Sequence, residues 1–592
     1  MNEQNVCPRA EHPNPQWERS NWKNLNGEWM FEIDNAKSGE ERGLQNAESL
    51  SGKIILPFCP ESELSGVGEK DFMYCVWYKK VLSFNEKELC GNRVLFHVGA
   101  ADFETKVWVN GTLAGMSHLG AFVSFEYDIT KLLVEGENTV TIACYDDTRH
   151  PRQAGGKQSL RHNSYGCYYT RTTGIWQTVW YEIVPETYLK YARITPDLEN
   201  CSVSVNAELC GKGDLSAEVY YCGKKVGEAS KKNLSVTGQL EISLSEKHVW
   251  DLGDGQLYDM ILRFGKDEVK TYFGLRSIEL RDGKFLLNGR SVFQRLILDQ
   301  GFYPDGIWTA PTEEALLRDI KCSMSAGFNG ARLHEKVFEP RFLYHCDREG
   351  YMVWGEYGNW GFDHSTTEYI HLYLSDWLAA VRRDYNHPAI IGWCPFNETW
   401  DTNLAWDLSN VQRRAQNDAV LRTMYEQTKA FDPTRPCIDT SGNFHVITDI
   451  YDVHDYNQDP VTFKENYDKL YLQNELYDQV LNHHPWRQKW RGEPVFISEY
   501  GGIGLQLPDN NGDRAKAWSY GKSTHSYEEF YERYKGLTDA ILDNPRMLGF
   551  CYTQLTDVEQ EQNGLFTYVG RKPKFDLDVL TAINTRKAAI ED

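Results

Sequence analysis

Residues 392–400 read GWCPFNETW, an apolar run that ends abruptly in an amide, Asn397, beside a carboxylic acid, Glu398. Two isoleucines precede the run, which gives it the length of one buried β-strand. A second segment, PVFISEY at 494–500, changes from apolar residues to an acid in the same way at Glu499. In a parallel β/α barrel the body of each strand is buried under helices and its carboxyl end opens into the functional site, so both segments favour that fold.

The sequence around these two segments alternates short apolar strands with amphipathic helices from residue 276 to residue 592. Eight strand candidates occur in this region, which matches a (β/α)8 TIM barrel better than an open doubly wound sheet. No glycine-rich phosphate-binding turn follows any of these strands, so we expect no nucleotide or other cofactor.

The residues before the barrel predict two all-β modules in tandem. Residues 1–185 contain strand-like segments with period-two patterning and glycine and asparagine turns, which indicates an antiparallel β-sandwich. A shorter series at 186–275 has the strand spacing of an immunoglobulin-like β-sandwich. We therefore expect a multidomain protein with domains at 1–185, 186–275 and 276–592.

The composition narrows the class of ligand. The chain has 592 residues, a formal net charge of -22 and a sequence pI of about 5.3, which argues against nucleic acid or an anionic membrane as the principal partner. The sequence shows no signal peptide and no apolar run that could span a membrane, and its 14 cysteines lack zinc or disulfide spacing. We expect a cytoplasmic protein with free thiols and a small neutral or cationic ligand, and a homodimer as the default oligomeric state.

Polar residues at the carboxyl ends of the barrel strands should converge on one site. Two of them, Glu398 and Glu499, form a pair of carboxylates, which glycoside hydrolysis uses for proton transfer and for nucleophilic attack. The amide of Asn397 beside Glu398 suits a hydrogen bond to a sugar 2-hydroxyl. The predicted strand ends carry Asp299, Arg332, His334, Glu356, Asn397, Glu398, His454, Tyr456, Glu499 and Gln554.

Two other functions are compatible with these residues. Paired carboxylates also bind metals, and Glu356 with His334 would make a weak divalent site, but the strand ends contain no HxH or HExxH cluster and we expect no metal. A carbohydrate-binding protein without catalysis is the other alternative, and the presence of both carboxylates argues against it. His334 and His454 suit a supporting role in the site and a structural role in the core equally well.

Four motifs resemble those of glycoside hydrolase family 2. GWCPFNETW and VFISEYGG resemble the acid/base and nucleophile motifs of the family. PRFLYHCDREGYMVWGE at 340–356 resembles its third-strand signature, and GCYYTRTTGIWQTVWYE at 166–182 its first-domain signature. The resemblance implies a jelly-roll sugar-binding domain, an immunoglobulin-like domain and a catalytic barrel. It also implies a retaining exo-glycosidase, similar to the short β-galactosidase-like members.

The resemblance assigns roles to matched residues. Glu398 would be the general acid/base, which requires a raised pKa, and Glu499 the ionised nucleophile of a double displacement. Tyr456 matches the family tyrosine that hydrogen-bonds the nucleophile, and Arg332 matches the arginine near it.

Further positions match substrate contacts of the family. Asp299, with Gln300, ends the first barrel strand where relatives contact the glycone, and Tyr552 stands where many relatives place a tryptophan under the sugar ring. A first-domain loop around Asp146 and Asp147 either reaches the barrel mouth or forms an ordinary polar turn.

The segment EQNGLFT at 561–567 indicates which class of sugar the protein accepts. The glucuronidase branch of the family carries an Asn-x-Lys pair here, whose lysine binds the uronate carboxylate, whereas this chain has Glu561 and Asn563. Glu561 would repel an anionic glycone, so we expect a neutral sugar and favour a β-D-galactoside. α-L-Arabinopyranosides, β-glucosides, β-mannosides and β-glucuronides stay open. A retaining mechanism places the two carboxyl groups roughly 5 to 5.5 Å apart, and an inverting one about 6.5 to 9.5 Å apart.

Overall fold

The computed structural model describes residues 7–400, 415–442, 444–477, 485–507 and 517–591. Antiparallel sheets occupy the chain up to Phe273, and a mainly parallel β/α region follows. Within the described residues, no helix combines the length and the apolar character that crossing a membrane requires.

Two sheets of four and seven strands enclose one apolar core in the first β region, residues 22–185. Trp29 and Val76 come from the larger sheet, and Val94 and Tyr181 from the smaller one. Alternate residues of each strand face the partner sheet, which is why period-two patterning predicted a sandwich here. The jelly-roll type stays a prediction. The strands are Trp22–Asn24, Gly27–Ile33, Gly52–Leu56, Cys75–Phe84, Asn92–Val98, Ala101–Asp102, Glu104–Val109, Thr112–Leu113, His118–Leu119, Phe125–Asp128, Gly136–Tyr145, Gly174–Ile175 and Val179–Pro185, with one short helix, Glu86–Leu89.

The second β region, residues 188–273, is one five-stranded antiparallel sheet. Two of its strands are 20 residues long, and shifts in register between Glu208 and Leu215 interrupt their pairing. Val205 before the shifts and Val219 after them belong to the same apolar core, so the sheet encloses that core. The immunoglobulin-like type stays a prediction. The strands are Tyr188–Asp197, Ser202–Tyr221, Lys224–Ser243, Tyr258–Phe264 and Asp267–Phe273.

Seven parallel strands form the barrel wall as one continuous sheet. Helices cover its outer face and begin at polar caps such as Thr312 and Ser526, whose hydroxyls accept the N–H of the third helical residue. In sheet order the strands are Ile390–Cys394, Met352–Glu356, Gly330–Leu333, Gln294–Asp299, Met547–Thr553, Val495–Gly501 and Tyr451–Asp455. The helices are Glu313–Ser325, Pro340–Glu349, Ile370–Asp384, Asp418–Phe431, Pro460–Leu472, Tyr527–Leu542 and Leu577–Asn584.

The fifth of the eight predicted barrel strands is irregular. The segment PCIDTSG, residues 436–442, pairs with the preceding strand region only at two separate parallel bridges, at Cys437 and at Ser441. It closes the barrel on its other side through Ser441, whose hydroxyl donates to Asp452 at 2.6 Å. Pro436 has no N–H to donate to a ladder, but its carbonyl accepts the Trp393 N–H at 3.0 Å.

Short elements complete the described chain. A three-stranded antiparallel sheet, Ile278–Arg281, Lys284–Leu287 and Arg290–Ser291, leads into the barrel. The strands Ile503–Leu505 and Tyr520–Thr524 pair with each other. Single turns of 3-10 helix occur at Leu44–Asn46, Glu63–Ser65, Thr130–Leu132 and Ala589–Glu591.

A buried carboxylate, Asp347, joins the second β region to the barrel. It accepts hydrogen bonds from the Tyr272 hydroxyl and from the Ala389 N–H, both at 2.8 Å, and Nδ1 of His387 lies 2.5 Å away. The indole N–H of Trp250 donates to the backbone carbonyl of Asp347 at 2.7 Å. Because these groups are buried, the loss of one partner leaves another without a hydrogen bond.

Replacing Tyr272 by phenylalanine should lower the free energy of unfolding by about 1 to 3 kcal/mol, because the buried carboxylate loses a donor. Tyr344→Phe is the matched control, since the Tyr344 hydroxyl makes a solvent-exposed bond to Arg348 of its own helix. Such surface changes usually stay within about 0.5 kcal/mol. Urea unfolding followed by tryptophan fluorescence measures both, and equal losses would contradict the role given to Asp347.

Candidate active site

The buried guanidinium of Arg332 lies at the centre of the barrel's carboxyl end. Its Nε donates to Glu356 at 2.5 Å, its Nη1 to Glu499 at 3.1 Å and its Nη2 to the Asn397 side chain at 3.2 Å. Nη1 also donates to the Ser498 carbonyl at 2.7 Å. Burial opposes the charge, but the carboxylates of Glu356 and Glu499 outweigh it and raise the pKa of Arg332 well above its ordinary value. The charged guanidinium therefore fixes side chains from several strand ends at once.

Glu499 is buried and tightly held. Its Oε2 accepts a hydrogen bond from the Tyr456 hydroxyl at 2.5 Å and lies 3.4 Å from Nδ1 of His454. The Tyr456 hydroxyl keeps its proton, because burial and the charge of Glu499 raise its pKa well above the ordinary value. The same hydroxyl lies 3.0 Å from Thr553 Oγ1, and its ring stacks on Tyr520 at 3.5 Å. The carboxylate is therefore held in one orientation by the guanidinium and the tyrosine.

Glu398 is the more exposed of the two acids, with 18% of its side chain accessible. Its N–H donates to the Ser441 carbonyl at 3.0 Å, and its backbone φ is +50°. Its Oε1 lies 2.8 Å from Nδ1 of His454. Burial opposes the charged form of this imidazole, but Glu499 and Glu398 outweigh burial and raise the pKa of His454. His454 thus retains a proton that it shares with the two acids.

The two acids lie close together. One oxygen of Glu398, one oxygen of Glu499 and a ring nitrogen of His454 all lie within 4.8 Å of one another. The separation of these two oxygens is compatible with the close carboxyl pair, roughly 5 to 5.5 Å apart, of a retaining glycosidase.

The same three groups are the residues that could hold a metal ion, since they offer two oxygens and one nitrogen. An ion there would engage both acids and leave neither free for proton transfer. The alternative divalent site at Glu356 and His334 is not favoured, because the Glu356 carboxylate accepts from Arg332 at 2.5 Å and lies 3.2 Å from His334 Nδ1.

Asn397 presents an amide to the same space. Its backbone N–H donates to Asn359 Oδ1 at 2.7 Å, and its own Oδ1 is held by the guanidinium. Its Nδ2 is buried and has no hydrogen-bond partner among the described residues. Leaving such a donor unsatisfied costs roughly 1 to 3 kcal/mol, which a sugar hydroxyl would recover. This geometry suits the predicted contact with a 2-hydroxyl.

Tyr552 faces away from the site. Its ring is buried between the barrel strand and the helix Tyr527–Leu542, 4.9 Å from the ring of Tyr534. Successive residues of a strand point to opposite faces, and Thr553 is the one that contacts Tyr456. The predicted substrate contact at Tyr552 is therefore wrong.

Asp299 also makes no contact with the paired acids. Its carboxylate accepts the Gly301 N–H at 2.9 Å, and burial, together with the neighbouring Asp319 on an outer helix, raises its pKa to about 7. One oxygen of Asp299 is engaged by the turn that follows the strand, and the glycone contact at Asp299 stays a prediction. His334 lies with Glu356 and is neutral, since burial and then the charge of Lys157 lower its pKa well below the ordinary value.

The first β region supplies side chains that sequence reasoning missed. Lys157 is 4% exposed, and its Nζ lies 3.6 Å from the ring centroid of Trp360 in the barrel. The Tyr169 hydroxyl donates to Glu561 at 2.5 Å. Asp146 stays inside its own region, where it accepts a bond from Gln153 at 2.7 Å.

The predicted loop therefore does reach the barrel, but through Lys157, and Asp146 with Asp147 forms the polar turn. Two signals in the sequence could have indicated this. A pair of glycines, Gly155 and Gly156, precedes the lysine, and Tyr169 lies inside the first-domain signature.

Models of one family match the chain over two adjoining stretches. Residues 187–276 match glycosyl hydrolases family 2, and residues 278–508 match the TIM barrel domain of that family. Paired carboxylates at the mouth of a β/α barrel are an arrangement that glycosidases use. The chain belongs to glycoside hydrolase family 2, as its motifs predicted.

Similar proteins carry two different names. A β-glucuronidase from Paenibacillus borealis is 24% identical over 535 residues, which cover 81% of this chain and 83% of that relative. A putative β-glucuronidase from Formosa agariphila is 28% identical over 345 residues, 55% of this chain and 31% of the relative. A β-galactosidase from Oenococcus oeni is 25% identical over 407 residues, 63% of this chain and 36% of the relative. The chain thus spans about a third of the length of the last two relatives.

Solved structures agree on the fold. The β-glucuronidase of Ruminococcus gnavus superposes with a TM-score of 0.76 at 17% identity, covering 98% of this chain and all of that one. At this identity the likeness shows the fold alone.

Replacing Tyr456 by phenylalanine should lower kcat/KM by roughly 10- to 100-fold, because Glu499 loses a hydrogen bond to a charged group. Tyr467→Phe is the matched control, since the buried Tyr467 hydroxyl also bonds a carboxylate, Asp455, at 3.0 Å. The control should lose stability and keep its kcat/KM. Steady-state kinetics on both variants tests this, and an equal loss of activity would contradict a specific role for Tyr456.

Proposed function

We propose that this protein is a retaining exo-β-glycosidase that removes a terminal sugar through a covalent glycosyl-enzyme. The observation that carries the proposal is the close pair of acids, whose oxygens lie within 4.8 Å. Glu499 attacks the anomeric carbon while Glu398 protonates the departing glycosidic oxygen. Water then attacks the same carbon, Glu398 takes its proton, and the bond to Glu499 breaks.

The surroundings of the two acids support different roles. Glu499 is oriented by the donors of Arg332 and Tyr456, which stabilise a carboxylate poised to attack. Glu398 is more exposed and lies beside His454, an imidazole whose proton it can exchange. Asn397 offers a free amide donor where hydrogen bonds to the sugar strengthen in the transition state.

For the glycone we propose a neutral sugar, with β-D-galactosides as the first candidate. Glu561 is buried, 2.5 Å from the Tyr169 hydroxyl, and an ionised Glu561 would repel a uronate. A β-glucuronide is the second candidate, because two of the relatives described above carry the name β-glucuronidase.

A panel of β-linked nitrophenyl glycosides tests the reaction class. Release from at least one sugar is expected, and Glu499→Ala should lose several orders of magnitude in kcat. Azide should restore activity to this variant and yield the α-glycosyl azide, because it enters from the face that Glu499 vacates. The exposed helical acid Glu528, replaced by alanine, is the control and should leave kcat unchanged.

Three results would contradict the proposal. A folded wild-type protein that releases nitrophenol from no β-linked sugar excludes the reaction, and tight sugar binding without turnover would indicate a binding protein. A β-glycosyl azide would reverse the two roles. Loss of activity after exhaustive chelation would indicate a metal-dependent reaction.

The pH profile should depend on His454. The pair of Glu398 and His454 shares a proton, and the raised pKa of His454 keeps that proton bound to higher pH. His454→Gln removes the second proton site, so the alkaline limb of kcat/KM should move to lower pH. Profiles of both proteins between about pH 4 and pH 10 measure the limb, and an unchanged alkaline limb would show that His454 has no part in the titration.

A further inference from the structure

A loop of the first β region is fixed on the barrel by backbone hydrogen bonds. The Gly155 N–H donates to the Trp360 carbonyl at 2.7 Å, and the Gly156 N–H to the Gly358 carbonyl at 3.1 Å. A Cβ at Gly156 would lie 2.3 Å from the Glu335 carbonyl oxygen, so only glycine permits this approach. The backbone of the next residue, Lys157, is therefore held in place.

Lys157 carries a buried ammonium whose Nζ has no hydrogen-bond or ion-pair partner among the described residues. Burial alone would lower its pKa, but Cys167, Glu561 and Glu499 outweigh burial and raise it. Tyr169 brings the lysine loop and Glu561 together, because its N–H donates to the Lys157 carbonyl at 2.8 Å and its hydroxyl donates to Glu561 at 2.5 Å. The donors of the Lys157 ammonium are available to a ligand.

Glu561 is the matching acceptor on the barrel side. Its Oε2 accepts from the Tyr169 hydroxyl at 2.5 Å and its Oε1 from Asn563 Nδ2 at 3.1 Å. Asn563 in turn accepts from Gln554 at 2.8 Å, and Gln554 accepts from Gln300 at 2.9 Å. This row of amides holds the carboxylate in one orientation.

We propose that Lys157 and Glu561 together clamp one hydroxyl of a neutral glycone, with Lys157 donating to the hydroxyl oxygen and Glu561 accepting its proton. This inference rests on the proposed function and specifies its substrate class. A hydroxyl satisfies both partners, because it accepts and donates at once. A carboxylate only accepts, and it would be repelled by Glu561 once that acid ionises above its pKa, which burial raises to about 7. Lys157 is thus a specificity residue that the first β region contributes to a barrel site.

Kinetics with deoxy substrates test the clamp. Lys157→Met should lower kcat/KM roughly 10- to 100-fold for the best neutral substrate, because a charged hydrogen bond is lost. For the substrate that lacks the clamped hydroxyl, Lys157→Met should lower kcat/KM less than about threefold, since this substrate never made that bond. Lys79→Met is the matched control, because Lys79 is also buried in the first β region and its hydrogen bonds within the described part of the chain go to backbone carbonyls of its own region.

Nitrophenyl β-D-galactoside, its 6-deoxy analogue, its 4-epimer β-D-glucoside and the 4-deoxy analogue form the series, with β-D-glucuronide as the charged comparison. Lys157→Arg should recover part of the loss on the best neutral substrate. An equal loss on every substrate, or a loss matched by Lys79→Met, would show a merely structural lysine. A wild-type preference for the glucuronide that Lys157→Met abolishes would overturn the clamp in favour of a uronate counterion.

Calorimetric titration of D-galactose, D-glucose and D-glucuronate separates this inference from the reaction itself. The wild-type protein could show no turnover and still bind a neutral sugar. If the Lys157→Met variant then binds that sugar at least tenfold more weakly, the clamp is supported and the glycosidase proposal is contradicted. Binding unchanged by Lys157→Met, no binding of any neutral sugar, or stronger binding of glucuronate by the wild-type protein would overturn the clamp.

Discussion

The geometry of the barrel mouth depends on the buried charge of Arg332. A desolvated guanidinium is costly unless anions and acceptors surround it, and its planar donors fix where those acceptors stand. Glu356, Glu499 and the side chain of Asn397 meet that requirement from different strands. The contacts that make burial of the guanidinium tolerable therefore also fix the position of the proposed nucleophile. A barrel that folds around this charge places Glu356 and Glu499 at the same time.

The residues that the sequence identified share one property, which is their place at the end of an apolar run. The change from apolar to polar at Glu398 and Glu499 marks where the scaffold opens into the site, and periodicity alone suffices to find it. Tyr552 failed because a strand end is certain only to within a residue, and a shift of one residue turns a side chain to the opposite face. The irregularity of the fifth strand was not predictable either, since its apolar pattern does not show that it bridges the preceding segment at two separate points, Cys437 and Ser441.

The contribution of the first β region could not be derived from local pattern at all. Lys157 and Glu561 are 404 residues apart, from 561 minus 157, and no periodicity connects them. Two glycines let the loop of Lys157 lie against the barrel, and Tyr169 makes hydrogen bonds to both Lys157 and Glu561. The sequence pattern predicted the strands of the two β regions, but it did not predict which of their residues contact the barrel. Site residues near strand ends are thus predictable, and those supplied across a contact between regions are not.

Glu398 shows how the chain gives two neighbouring residues access to one sugar. In a regular strand Asn397 and Glu398 would point to opposite faces, but the left-handed φ of +50° at Glu398 breaks that alternation. Such a conformation costs a residue with a Cβ roughly 1 to 2 kcal/mol, and glycine would adopt it freely. Glycine would relieve this strain but would remove both the contact with His454 and the proton donor. The backbone strain at Glu398 is therefore a cost of folding that gives the acid its place beside Asn397.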